Sequence, residues 1–104
     1  MAEDEVTPQA EETAGMMPDI HVEDLLRYTM HLFTEQAWVK LGVRMGPSKG
    51  ETVTNLPEAK LAIDALAALV TLTEGRFDPH EVRDLKNMVA GLQMNFVQRK
   101  TQEG

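Results

Sequence analysis

Residues 55–75, NLPEAKLAIDALAALVTLTEG, restrict the fold more than any other stretch of this chain. They open on Asn55-Leu56-Pro57-Glu58, close at Gly75, and contain no helix breaker in between. At ~100° per residue their apolar positions span roughly 220°, about twice the stripe of an ordinary surface helix. Only Lys60, Asp64, Thr71 and Glu74 form a polar line. The segment predicts a helix covered on two sides, a framework and not a site. The pattern speaks to architecture and association and leaves the cellular role unstated.

The start of this helix is marked by side-chain chemistry. Pro57 fits a first turn, where its missing N–H is no loss. Asn55, with Glu58 three residues on, resembles a capping box. Leu56 precedes proline and resists the α conformation, so the boundary falls at Asn55 or Leu56.

Two further helices flank it. Residues 20–43 predict the first, with Asp19 as cap and Glu23 and Asp24 at the positive end of its dipole. Leu25, Leu26, Leu32, Phe33, Ala37, Val39 and Leu41 make its expected core face, with Tyr28 and Met30 on the flanks and Trp38 beside the polar side. Gly42 is the expected stop. After Gly75, Asp78-Pro79-His80-Glu81 gives cap, proline and first-turn glutamate in order. Val82, Leu85, Met88, Val89, Leu92 and Phe96 then step by three and four along one narrow face. Met30, Met88 and Met94 fall at helical spacing among apolar residues and are read as core fillers.

With 104 residues there is room for one domain. A core of that size is close to the lower limit of self-sufficiency, which favours self-association. The net charge of −7 misleads, because residues 1–19 hold six acidic and no basic residues, leaving −1 for the remainder. The leader predicts a disordered acidic tail: a solubilising arm, or a peptide that docks on a basic partner. A near-neutral domain lacks the clustered Lys and Arg that phosphate contacts need, so nucleic acid is not an expected partner. The acidic start does not match a secretory signal, and no apolar run approaches ~20 residues, so no membrane span is expected. Absence of cysteine excludes disulfides and thiolate metal sites and fits a cytoplasmic protein.

Chemical motifs are sparse. His31 and Glu35 lie one turn apart, yet zinc needs three or four ligands, and His21 and His80 stand at no useful spacing. Solvated surface residues are the plainer reading. In the 44–54 connection, Gly46-Pro47-Ser48-Lys49-Gly50-Glu51-Thr52 looks superficially like a phosphate loop, but Lys49 precedes the last glycine and a helix precedes the loop. Turn chemistry explains it. Arg44 and Lys49 make it the densest positive segment, either solvated or a dock for the acidic leader. Ser48, the only serine, has no histidine near it in sequence. No catalytic, cofactor-binding or metal residue is therefore proposed, and the balance leans against an enzyme.

The run Asn55-Leu56-Pro57-Glu58-Ala59-Lys60, followed by Ile63-Asp64, Leu66 and Thr73-Glu74-Gly75, resembles the bacterial family catalogued as domain of unknown function 1844. Ala37 with Leu41-Gly42 upstream, and Glu81, Leu85, Leu92 and Phe96-Val97 downstream, are similar to its pattern, so the likeness spans residues 20–98. The resemblance implies a short, predominantly helical bacterial protein with variable polar tails, and it carries no activity, cofactor or catalytic residue. It marks Pro57, Asp64 and Gly75 as features of the fold.

The combined expectation is an all-α protein. A disordered tail (1–19) precedes a three-helix antiparallel bundle (20–100) with helices near 20–43, 57–74 and 79–100. The middle helix has more apolar surface than one bundle can cover, and Ile63, Leu66 and Val70 are the expected interface, opposite Leu61, Leu69 and Leu72. A homodimeric interaction module is the first expectation. A monomeric adaptor that binds another protein's helix is the alternative, and an enzyme or metal protein with an unrecognised site comes third.

Overall fold

The computed structural model describes residues 19–43 and 54–103, which form three helices. These are α1, Val22–Lys40; α2, Leu56–Leu72; and α3, Pro79–Glu103. No strand occurs among the described residues. The leader up to Pro18 and the segment from Arg44 to Val53 lie outside them, and with them the tail, the phosphate-loop look-alike, Ser48 and the basic pair Arg44 and Lys49.

The all-α, three-helix antiparallel bundle read from the sequence is the observed fold. Its middle helix, α2, makes the principal contacts with both neighbours. The α1–α2 pair is antiparallel, since Lys40 at the end of α1 lies 3.6 Å from Glu58 in the first turn of α2. By contrast α3 runs alongside α1 in the same direction, with Arg27 bonded to Glu81 and Thr34 Oγ1 at 3.5 Å from the Met88 sulfur.

Local chemistry accounts for the helix ends, with one correction. Asn55 Oδ1 accepts from the Glu58 N–H at 3.1 Å, as the cap reading predicts. The return half of the capping box is absent, because the Asn55 N–H donates to the Lys40 carbonyl at 2.7 Å and the Glu58 carboxylate turns to Lys40. Asp78 Oδ1 accepts from the His80 N–H at 2.8 Å and opens α3. Asp19, however, does not cap α1. The helix begins at Val22, and His21 takes the cap position in extended conformation without a side-chain bond. Its carbonyl accepts from the N–H groups of Asp24 and Leu25.

At the far end of α2 the buried Thr73 hydroxyl donates to the Val70 carbonyl at 2.6 Å, and Gly75 turns the chain with φ +80°. Gly42, also at +80°, ends α1 where a Cβ would run into the Thr54 side chain.

The core draws on all three helices: Met30, Ala37 and Leu41; Ala59, Ala62, Ile63, Leu66 and Val70; Val82, Val89 and Leu92, with Phe77 from the turn. The α3 face agrees with the sequence reading. On α1 the stripe is rotated from the expected one. Met30 and Thr34 lie at its centre, Trp38 packs against the core, and Leu25 and Leu32 face outward. Polarity hid this, since Thr34 satisfies its hydroxyl locally by donating to the Met30 carbonyl at 2.8 Å. Met94, read as core, is exposed on α3.

Candidate interaction surface

The two sides of α2 are not equivalent. One packs inside the chain, where Ala62, Ile63, Leu66 and Val70 join the core shared with α1 and α3. Ile63, Leu66 and Val70 are 3%, 0% and 3% exposed, so the residues expected at an interface form the core of a single chain. The face turned outward is the opposite one, roughly 160° away on the helix, with Leu61 and Leu72 at 68% and 56% exposure. A helix wheel shows that two apolar faces exist. Which of them the rest of the chain covers is settled by tertiary packing, and here α1 and α3 lie on the Leu66 side.

The outward face continues onto α1. Leu25 and Leu32 are exposed there, and with Val39 they recur every seven residues. On α2 the matching line is Leu61, Ala65, Ala68 and Leu72, spaced by four, three and four. Such spacing keeps one line of side chains on one side of a helix, the condition for helix-to-helix packing. The lines lie next to each other: Leu25 and Leu72 border the same groove, and Lys40 lies beside Glu58 at the other end.

That groove encloses about 580 Å³ between the start of α1 and the end of α2. Val22, Leu25, Leu26, Leu69, Leu72 and Phe77 give it an apolar lining, and Glu23 and Arg76 supply its charges. Arg76 makes no side-chain bond within the described residues.

Between α1 and α3 a smaller recess of about 220 Å³ is bounded by Arg27, Met30, His31, Thr34, Glu81 and Met88. Its charged groups are engaged with each other. The Arg27 guanidinium donates to both Glu81 oxygens and to Asp24, and lies 4.3 Å from the Phe77 ring centre. The Glu81 hydrogen bond holds Arg27 above even its usual high pKa. This clamp was not read from the sequence, where Arg27 and Glu81 are ordinary surface residues of separate helices.

His21 and His31 are exposed on α1, and His80 Nδ1 lies 2.8 Å from an Arg83 nitrogen at the start of α3. No three His, Cys, Asp or Glu side chains converge on a common point among the described residues. Nor is any helix among them long and apolar enough to cross a membrane.

Comparison with curated proteins and with solved structures gives no match. A family model described as domain of unknown function 1844 matches residues 25–98, which take in the whole of α2 and its contacts with α1 and α3. With most of its length in that match, the chain belongs to the domain of unknown function 1844 family.

Proposed function

We propose that this protein is a non-catalytic interaction module that self-associates as a homodimer through the outer face of α1 and α2. The observation that carries the reading is the exposure of Leu25, Leu32, Leu61 and Leu72, with Leu25 and Leu72 lining one groove between α1 and α2. With 17 residues in α2, a two-helix face is about 26 Å long and about 20 Å wide, roughly 500 Å² in footprint. A patch that size is at the upper end of what monomers leave uncovered, and approaches the ~800 Å² each partner buries in a standard interface. Within this reading the protein works in the bacterial cytoplasm, where a chain without cysteine needs no oxidising environment.

Sedimentation equilibrium at micromolar concentration tests it. The expected mass is twice 11.6 kDa, and Leu61→Glu returns it toward the single-chain value. A clean monomer across the concentration range overturns the proposal and favours capture of another protein's helix by the same face.

A further inference from the structure

The outer face is self-complementary, and that property specifies how two copies meet. Along α2 the outer line reads Leu61, Ala65, Ala68, Leu72, half-buried at Ala65 and exposed at the rest, the same from either end, with small residues in the middle and leucines outside. Turned end over end, this line places each leucine opposite the other leucine and lets the backbones approach at the alanines. The line on α1, Leu25, Leu32, Val39, is likewise balanced about its middle member. The two centres are nearly level with each other. Midway between the groove that Leu25 and Leu72 both line and the Lys40–Glu58 pair lie Leu32 on α1 and Ala65 on α2, the latter within two residues of the centre of the α2 line between Ala65 and Ala68. A single two-fold axis at that level, passing between Ala65 and Ala68, serves both helices.

Shape and charge agree with this axis. The groove lies at the end of the face that holds Leu72, and Leu61, the most exposed leucine, projects from the other end. Rotation about the axis carries the Leu61 of one copy into the groove of the other, and the reverse. The same rotation brings Arg76 and Glu23 at the groove end over Glu58 and Lys40 of the opposing copy, opposite charges at both positions.

On the basis of the self-association proposed above, we infer that the occupant of the groove is Leu61 of a second copy of this chain, with α2 packed antiparallel on α2 and α1 on α1. The result is a four-helix centre with α3 on the outside of each copy. Its interface is isologous: residue 61 meets residue 72 and residue 72 meets residue 61.

The absence of cysteine makes the register directly measurable. Chains carrying Leu61→Cys and chains carrying Leu72→Cys are mixed, allowed to exchange, and treated with a short bifunctional maleimide. Both substituted positions are exposed, and circular dichroism of each variant checks that the helices are kept. Efficient linking in the mixture, with little in either variant alone, is the expected result. Leu61 of one copy lies eleven residues, about 16 Å along the helix, from Leu61 of the other. Linking of each variant to itself shows parallel pairing and overturns the inferred register. A dimer by sedimentation that links in none of the three samples places the contact elsewhere and overturns the inference while leaving self-association intact. A monomer by sedimentation of the unmodified chain overturns the proposed function itself.

Discussion

Arg27 and Glu81, fifty-four positions apart, meet in a two-point ion pair, Nε to Oε2 at 2.6 Å and Nη2 to Oε1 at 3.0 Å. The guanidinium also lies over the Phe77 ring, so one side chain joins α1, the turn after α2 and the first turn of α3. Glu81→Gln is expected to lower the melting temperature by several degrees, read by circular dichroism. Arg27→Lys recovers little, because an ammonium cannot reproduce the planar fork or the stack on the ring. Arginine keeps its charge throughout the working pH range, so its side of this pair adds no pH dependence near neutrality. Part of the wild-type advantage disappears at ~1 M salt, since both groups are partly solvated and the screening length is then ~3 Å.

Ile63→Glu and Leu61→Glu differ by two residues in position and should differ completely in outcome. The first puts a carboxylate in the core without a partner, at a cost of several kcal/mol that rivals the ~5–10 kcal/mol holding a domain of this size together. Loss of most of the helical signal is expected. The second leaves the helical signal in place and changes only the sedimentation behaviour. Retention of structure by Ile63→Glu would contradict the packing described for α2.

The two left-handed glycines separate backbone strain from steric clash. At Gly75 nothing lies within 4 Å of an added Cβ, so Gly75→Ala is expected to cost only the left-handed penalty of about 1–2 kcal/mol. At Gly42 the same penalty is joined by collision with the Thr54 side chain. Urea unfolding should rank Gly42→Ala below Gly75→Ala, and Thr54→Ala in the Gly42→Ala background should recover part of the difference.

Asn55→Ala removes the side-chain acceptor that caps the start of α2 and should cost about 1 kcal/mol. Asn55→Asp keeps the acceptor and should be close to neutral. Both are measured as shifts in urea midpoint at constant slope.

Much of the fold was legible because its signals are local. Pro57, Asn55, Gly75 and Asp78-Pro79 mark ends through chemistry that acts within a few residues, and the structure puts helix ends at those places. The apolar line of α3 needs only a period near 3.6 and a single neighbour. What stayed hidden depends on distant partners. Thr34 is polar in a list of residues and buried in the fold, because its own helix satisfies its hydroxyl; that alone was enough to rotate the expected face of α1. Leu25 and Leu32 joined the core in the sequence reading because leucines are usually covered, and nothing local tells which of two leucine lines meets α2. The expectation of an interface at Ile63, Leu66 and Val70, and not on the Leu61 face, has the same cause. Arg27 and Glu81 give no sign of each other until the helices are placed side by side.

The bond from the Asn55 N–H to the Lys40 carbonyl, together with the close fit of Gly42 against Thr54, fastens the chain where it leaves α1 and where it enters α2. Whatever is spliced between Val43 and Thr54 starts and finishes at fixed anchor points. Lengthening that connection adds a loop-closure cost of ~0.6 kcal/mol for each doubling of its length. A short peptide epitope or fluorophore-binding tag inserted there should leave the helix pair, and with it the outer face, as it was. That connection is where a visible label can be built into the chain while both ends of α2 stay in use.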